Sequence, residues 1–303
     1  MHTAITIDAL KVLDAIDRKG SFAGAASELF RVPSAISYTV QKLEEDLNVP
    51  IFDRSGHKAT LTPAGRYLLA EGRSLLEAAE TLAHTTQQVA KGWETRLRIG
   101  FNSLLPAECL FDAVRDFYKL GVPVDVQLVE EVFAGSWDAL QSRRIDMIVG
   151  ADQMSKPAGA FTTSSLGELS FVFAVSPQHP LANADQPLSE EAIASFPAAV
   201  AADTSRALPA GTAGIFRRQR TLTVANIDQK ISAQKAGLAV GWLPEPRVRS
   251  LLESGELIEL RVHEPRQPIM LHMARHSEDQ GKALMWFWQR LTQSSAITDW
   301  LSH

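Results

Sequence analysis

The stretch RVPSAISYTVQKLEEDLNVPIFDRSGHKATLT, residues 31–62, decides the fold of the first part of the chain. Pro33 suits the first turn of a helix, where its missing N–H costs nothing. Four apolar residues then recur at the spacing of one helix face: Ile36, Val40, Leu43 and Leu47. Two short extended runs around Gly56 follow, a pattern typical of a β-hairpin. The stretch therefore predicts a half-buried helix followed by a small wing.

The opposite face of this helix carries small or planar hydrogen-bonding side chains: Ser34, Ser37, Tyr38 and Gln41. The acids Glu44, Glu45 and Asp46 stand at its C-terminal end, where they oppose the helix dipole. That placement keeps negative charge from the end that a helix-turn-helix presents to DNA. We expect this face to read base edges in the major groove. For each residue, a solvated surface position is the alternative.

Two shorter amphipathic helices precede this one. Leu10, Leu13 and Ile16 share a face of the first, and Ser21 is placed to cap the second. Basic side chains then fall in the turn before the third helix and on the wing, where they can contact phosphates or the minor groove: Arg31, Arg54, His57 and Lys58. Together these elements predict a winged helix-turn-helix that binds double-stranded DNA.

Charge alone does not point to nucleic acid. The whole chain has 303 residues and a net charge of -5, and basic and acidic residues are equal in number over residues 1–66. Binding to DNA would therefore depend on where the charges lie and not on their sum. No apolar run approaches the length of a membrane span, and the first residues lack an export signal. With one cysteine, Cys109, the composition fits a reducing cytoplasm.

A long helix is predicted to follow from Thr62 as N-cap and Pro63 at its first position. One seven-residue row is large, Leu68, Leu75, Leu82 and Val89, and a second row is small, Gly65, Gly72, Ala79 and Thr86. Such rows allow two helices from two chains to pack as a coiled coil. The alternative is a single helix lying on its own domain.

After Gly92 the pattern changes to alternating strands and helices, which is typical of a parallel sheet with right-handed crossovers. We expect a C-terminal α/β domain of two lobes, the second inserted in the first. The predicted boundaries are 1–61 for the winged helix-turn-helix, 62–92 for the linker helix, 93–163 and 268–303 for lobe I, and 164–267 for lobe II.

The chain resembles the LysR-type transcriptional regulators, and within them the YhaJ-like subgroup. The resemblance is carried by Gly20-Ser21-Phe22, Ala25-Ala26, Pro33-Ser34-Ala35-Ile36-Ser37, Gln41-Lys42-Leu43-Glu44, Ile51-Phe52-Asp53-Arg54 and Leu61-Thr62-Pro63-Ala64-Gly65. It implies a periplasmic-binding-protein-like effector domain in the C-terminal half and an assembly of four chains. Arg31-Val32-Pro33 and Tyr38 depart from the family pattern, so the resemblance gives no base contacts there.

The effector is expected between the lobes, at the C-terminal ends of strands. The loops there offer Asn102, Ser103, Phe133, Trp137, Asp152, Thr204, Arg206 and Asn226. Helix N-termini and one arginine favour an anionic group, and the aromatics favour a flat apolar body. The expected ligand is a small organic anion, with packing as the alternative role for Phe133 and Trp137.

Other classes of protein lack support. The chain has no GxSxG, HExxH or GxxxxGK[ST] motif, so an enzyme is not expected, and neither is a cofactor. A periplasmic solute-binding protein would share the C-terminal fold but carry an export signal and no winged helix. His272 and His276 lack a third ligand at usable spacing for a metal. Cys109 is expected to be a core thiol, with redox sensing as the alternative.

Overall fold

The computed structural model describes residues 5–53, 60–208 and 214–302, and leaves out the side chain of Met154. The chain divides into two compact units, Met1–Ala90 and Lys91–His303. Within the described ranges, no helix is long and apolar enough to cross a membrane.

Three short helices and a hairpin build the N-terminal unit. They are α1 Ile7–Lys19, α2 Phe22–Glu28, α3 Pro33–Leu47, β1 Phe52–Asp53 and β2 Thr60–Leu61. Ser21 caps α2 as predicted, accepting a 3.0 Å hydrogen bond from the N–H of Gly24. The Glu44 carboxylate accepts hydrogen bonds from the N–H groups of Ile51 and Phe52, at 2.7 and 3.0 Å. It therefore ties the start of the wing to the end of α3.

The long helix α4, Pro63–Ala90, begins where the sequence predicts, because the Thr62 hydroxyl accepts a 3.0 Å hydrogen bond from Gly65 N–H. The expected use of its small row is partly wrong. A Cβ at Gly65 would lie 2.2 Å from the Ile51 carbonyl oxygen, and one at Gly72 would lie 2.7 Å from Leu10 Cδ2. The two glycines thus bring the helix onto its own domain, and they are not free to approach a second chain.

The C-terminal unit alternates strands and helices. In chain order these are β3 Arg96–Asn102, α5 Glu108–Tyr118, β4 Asp125–Glu131, α6 Gly135–Gln141, β5 Met147–Asp152, β6 Phe161–Leu169, β7 Phe171–Val175, α7 Glu190–Ala194, β8 Ala198–Ala201, β9 Thr221–Val224, α8 Ile227–Lys235, β10 Gly241–Pro244, α9 Glu245–Glu253, β11 Ile258–Glu259, β12 Ile269–His276, α10 Lys282–Gln293 and α11 Ala296–Ser302.

Lobe I is built on a five-stranded sheet of order β4-β3-β5-β12-β6. Strand β3 runs parallel to β4 and β5, whereas β12 runs antiparallel to β5 and β6. The predicted parallel pairing is confirmed for β4, β3 and β5, whereas β12 adds an antiparallel strand to the sheet. Strand β6 and the antiparallel strand β12 lie at the points where the chain leaves lobe I and returns to it, so they connect the lobes.

Lobe II holds an antiparallel sheet of order β10-β7-β11 and a parallel pair, β8-β9. Strand β6 pairs with β12 as far as Leu169, so the predicted lobe boundary at residue 163 lies inside a lobe I strand. The sequence FTTSSLGEL of β6 is polar and contains a glycine, and this is why no strand was predicted there. Helix α9 was not predicted either.

Candidate functional site

The exposed face of α3 includes the four residues predicted to read DNA: Ser34, Ser37, Tyr38 and Gln41. On the opposite stripe Ile36, Val40 and Leu43 are buried as predicted, and Leu47 at the end of the helix is partly buried. Tyr38 is 66% exposed. Gln41 is exposed and donates a 2.8 Å hydrogen bond to the Glu45 carboxylate, one turn further along the helix.

Of the four residues predicted to contact phosphates, Arg31 is among those that the structure describes. Arg31 donates two hydrogen bonds to the Asp8 carboxylate, at 2.9 and 2.6 Å, and this ion pair holds the turn before α3 against α1. A phosphate would have to share or replace Asp8. Arg54, His57 and Lys58, predicted for the wing, lie outside the described residues.

Two exposed apolar residues beside α3 were not among the predicted site residues. Phe30 is 96% exposed with φ of 54°, and Val32 is 63% exposed. A phenylalanine in the left-handed region is uncommon. The sequence indicates this exposure, because Phe30 and Val32 lie in the turn between α2 and α3 and so belong to no buried helix face.

A cavity of about 170 Å³ lies between the lobes of the C-terminal unit. Of the eight residues predicted to hold a ligand, four line it: Asn102, Ser103, Phe133 and Asp152. Phe133 has φ of 50°, a conformation that costs energy for a bulky residue and is enriched at functional sites. The Asn102 side chain is already engaged, since it donates to Ser136 Oγ at 2.9 Å and accepts from Leu104 N–H.

Trp137 does not line the cavity. Its side chain is fully buried, packs edge-on against Phe161, and donates a 2.7 Å hydrogen bond to the backbone oxygen of Asp152. The alternative role of packing therefore applies to Trp137. The reason is the burial of the whole helix, because residues 135–140 of α6 are all buried and Trp137 is one of them.

Thr204, Arg206 and Asn226 are also absent from the lining. Asn226 caps α8, accepting a 3.1 Å hydrogen bond from Gln229 N–H. Thr204 hydrogen-bonds to the Glu131 carboxylate and to the N–H of Val132. The Arg206 side chain is exposed, and its backbone N–H donates to Asp138. None of the three is placed to hold a ligand inside this cavity.

These contacts belong to a clasp between the lobes, which we define as residues 203–208 of lobe II with Glu131–Asp138 and Arg144 of lobe I. Asp203 accepts hydrogen bonds from Ala134 and Gly135 N–H at 3.3 and 3.0 Å. The start of α6 is therefore capped by a carboxylate of the protein. The N–H groups of Ala134 and Gly135 therefore already have an acceptor, although helix N-termini in general were expected to favour a ligand anion.

Asp138 is the centre of the clasp. Its buried carboxylate accepts from the backbone N–H groups of Arg206, Ala207 and Leu208, at 3.1, 2.9 and 3.1 Å, and from Arg144 at 2.8 Å. Burial opposes its ionisation, but these hydrogen bonds outweigh burial and lower the pKa of Asp138. Arg144 also pairs with Glu131, at 2.8 Å.

The basic groups of the cavity were missed by the sequence reasoning. Lys230 on α8 and Arg266, in the segment before β12, both line it, together with Trp242. Lys230 falls on the buried stripe that also contains Ile227, Ile231 and Gln234. A lysine at a position of the buried stripe could have indicated that Lys230 has a functional role, whereas nothing in the local sequence distinguishes Arg266.

The other candidate residues lie elsewhere. Cys109 packs half-buried against the main core, and burial, with the neighbouring Glu108, raises its pKa to about 11. The thiol is therefore protonated at neutral pH and unreactive. His276 hydrogen-bonds to the Leu140 carbonyl at 2.9 Å. Among the described residues, no group of three or more His, Cys, Asp or Glu side chains is placed to hold a metal.

Comparison with known proteins matches both units to one family. Residues 7–66 match the bacterial regulatory helix-turn-helix protein, lysR family, and residues 90–296 match the LysR substrate binding domain. The chain is 40% identical over 287 residues to the probable HTH-type transcriptional regulator YhaJ of Escherichia coli, covering 93% of this chain and 94% of YhaJ.

A second relative in Escherichia coli, the uncharacterized HTH-type transcriptional regulator YeeY, is 36% identical over 291 residues, 96% of this chain and 94% of YeeY. Among solved structures, an OxyR C206 mutant from Corynebacterium glutamicum superposes with a TM-score of 0.60 at 19% identity, covering 98% of this chain and 94% of that one. This last likeness supports the fold. The sequence matches go further, because they span both units and the relatives are regulators rather than enzymes. The chain belongs to the LysR family of transcriptional regulators, with a helix-turn-helix DNA-binding domain and an effector-binding domain.

Proposed function

We propose that this regulator binds a small organic anion in the cavity between its lobes and that this binding changes how it holds DNA. The cavity supports the proposal because it is small, partly apolar and lined by two basic side chains, Lys230 and Arg266. Phe171 and Trp242 line the same space, which suits a flat apolar part of the ligand. Lys230 and Arg266 take the place of Arg206 as the groups that recognise charge.

On the DNA side, we propose that α3 enters the major groove with Ser34, Ser37, Tyr38 and Gln41 facing the bases. Arg31 and the wing residues Arg54, His57 and Lys58 are proposed to contact the backbone. Support comes from the exposure of the α3 face and from its lack of acids before Glu44. A regulator acting on DNA in this way works in the cytoplasm.

We further propose that chains pair through α4 and that two pairs form a tetramer. The supporting observation is that Leu75, Leu82 and Val89 are 53%, 69% and 49% exposed on one seven-residue row. An exposed leucine row of this length is unusual on an isolated helix and is typical of a coiled-coil seam. The proposed domain boundaries are 1–61, 62–92 and 93–303.

The signal is proposed to pass from the cavity to DNA through the arrangement of the lobes. A ligand shifts such an equilibrium only if it binds two arrangements with different affinity. The clasp gives the lobes a defined closed arrangement, since several of its hydrogen bonds break together if they separate. Effector bound beside Phe133 and Ala134 would stabilise or oppose that arrangement.

The test uses the full chain and a DNA fragment selected from a genomic library by its binding. Carboxylic acids are then screened for a change in the gel shift and in tryptophan fluorescence. Arg266→Gln is expected to abolish the response and leave DNA binding intact. The matched control is Arg206→Ala, an exposed arginine outside the cavity, which should respond normally. A full response in Arg266→Gln would place the effector elsewhere.

A further inference from the structure

Lys230 is a buried lysine for which the described part of the chain offers no partner. It lies in the first turns of α8, its side chain is 6% exposed, and it lines the cavity between the lobes. The structure shows neither a hydrogen bond nor an ion pair to its ammonium group from any described residue. Burying a lone charge in this way is costly, so the position calls for a functional explanation.

The surroundings of α8 do not neutralise Lys230. The helix packs on four strands, β7, β8, β9 and β10, whose sequences FVFAV, AAVA, TLTV and GWLP contain no ionisable side chain. Charged groups near the helix are engaged elsewhere or lie across the cavity: Asp228 with Arg247, Lys235 with Glu256, Glu130 with Asn226, and Asp152 and Arg266 in the cavity lining.

Among the described residues, the charge that acts on Lys230 is that of another cation, Arg266. Burial first, and then the positive charge of Arg266, lowers the pKa of Lys230 to about 7. The amine is therefore neutral in a substantial fraction of molecules at neutral pH. Because a nearby anion favours the protonated form, filling the cavity with a carboxylate would reverse this effect.

Arg266 is the second basic group and differs from Lys230. Its guanidinium stacks on the Phe171 ring, with Cζ 3.7 Å from the ring centroid, and no carboxylate of a described residue lies within ion-pair distance of it. Burial lowers the pKa of Arg266 too, but an arginine starts from so high a value that it keeps its charge. The cavity thus holds a permanent cation beside a titrating one.

From this geometry, and resting on the proposed function of the cavity, we propose that one carboxylate of the effector binds between Lys230 and Arg266 and that Lys230 takes up a proton as it binds. The proton comes from solvent, and no covalent bond to the ligand forms. Arg266 supplies affinity at all pH values near neutrality, and Lys230 makes that affinity depend on pH. The regulator would then sense its effector more strongly in a slightly acidified cell.

The expected measurement is a proton count. Three carboxylates serve as probes: acetate, benzoate and succinate. Their binding to the full chain is followed by titration calorimetry in two buffers of different ionisation enthalpy, at pH values on either side of about 7. Uptake should approach one proton per ligand at the alkaline end, and the affinity should fall by up to about tenfold per pH unit there.

Two variants make the test specific. Lys230→Met should remove both the proton uptake and the pH dependence, and weaken binding about tenfold or more at the acid end. Lys235→Met is the matched control, because Lys235 lies on the same helix but is paired with Glu256 at 2.7 Å near the surface. It should keep the affinity and the proton uptake of the original chain.

The possible results distinguish a failure of the role proposed for Lys230 from a failure of the proposed function. Binding that needs Arg266 but shows no proton uptake, and the same affinity in Lys230→Met, overturns the role of Lys230 and leaves the cavity as the effector site. If none of the three carboxylates binds in a way that depends on Lys230 or Arg266, both the proton uptake and the anionic effector are wrong. DNA binding through α3, measured separately, stands in either case.

Discussion

Asp138 of lobe I and Ala207 of lobe II are joined by a 2.9 Å hydrogen bond, donated by the backbone N–H of Ala207 to Oδ1 of Asp138. The residues on either side, Arg206 and Leu208, donate to the same carboxylate. One buried acid of lobe I therefore binds three successive N–H groups of lobe II. The sequence predicted that this loop binds the ligand, whereas in the structure it forms a contact between the lobes.

We expect Asp138→Asn to weaken this contact. The amide nitrogen of asparagine would face donors that now bind a charged oxygen, so the C-terminal unit should lose about 2–4 kcal/mol of unfolding free energy. Urea unfolding followed by tryptophan fluorescence measures the change. The control is Asp112→Asn, which removes an exposed acid paired only with Arg115 and should cost about 0–1 kcal/mol. Equal losses would show that the clasp adds nothing.

The glycines of α4 give a second prediction. Gly65→Ala places a methyl against the Ile51 carbonyl oxygen, which is backbone and cannot move aside. The N-terminal unit should lose about 1–3 kcal/mol, despite the higher helix propensity of alanine. Gly72→Ala is the comparison, because its methyl meets the end of the flexible Leu10 side chain. Thermal unfolding should show a clearly larger loss for Gly65→Ala, and the reverse order would contradict the packing described.

Leu75→Lys tests the pairing of chains. Leu75 is half exposed in one chain, so a lysine there costs little in an isolated helix but several kcal/mol at an apolar seam between two. The variant should sediment as a smaller species and bind DNA weakly. Glu77→Lys, an exposed change on the same helix, controls for the added charge. If Leu75→Lys keeps the original sedimentation, α4 does not form the seam.

Gln41→Ala tests base reading by α3. Its amide is exposed and can form two hydrogen bonds to an adenine edge, so the variant should lose about 1–3 kcal/mol at the preferred site and little on random DNA. Gel shifts against both DNAs measure the difference. Gln88→Ala on α4 is the control, since that glutamine lies outside the helix-turn-helix. Equal losses on both DNAs would assign Gln41 to backbone contact instead.

Lys230→Met is predicted to change the pH dependence of stability. The unfolded lysine keeps its pKa near 10.5, and burial lowers it to about 7 in the folded chain. Between these values the unfolded state binds more protons, so this group makes stability rise with pH by up to about 1.4 kcal/mol per unit. Its cost is complete below about pH 7 and absent above about pH 10.5.

Removing the amine should therefore stabilise the C-terminal unit, most strongly near neutral pH and less as the pH rises. Urea unfolding of both proteins over this range gives the difference directly. The partly exposed Lys235, paired with Glu256, is again the control, as Lys235→Met should shift stability little at any pH. A constant difference between Lys230→Met and the original chain would show that Lys230 is not titrating between the two values.

The sequence by itself determined the local elements of the N-terminal unit and its function. The stripes of α3 and the caps at Ser21 and Thr62 are set by residues within one or two turns of each other. Side-chain periodicity and capping act over that distance. The division of α3 into a buried and an exposed face could therefore be read from residues 31–62 alone.

The tertiary structure decided which surfaces those elements meet. The two glycines of α4 were visible as a row, but only packing shows that they meet α1 and Ile51. Lobe I ends after Leu169 because β6 pairs with β12, about a hundred residues away. Pairing partners so distant leave no local mark in a polar strand.

The same reason explains why the sequence predicted some of the residues that line the cavity and not others. Asn102, Ser103, Phe133 and Asp152 follow strands whose ends converge by a general rule of α/β folds, so the sequence placed them. Thr204 and Arg206 follow a strand too, but their loop is hydrogen-bonded to the buried acids Glu131 and Asp138 and does not face the cavity. Lys230 and Arg266 come together only when α8 and the segment before β12 fold onto one space. A charge left unpaired by folding is a property of the assembled surroundings, and no local pattern contains it.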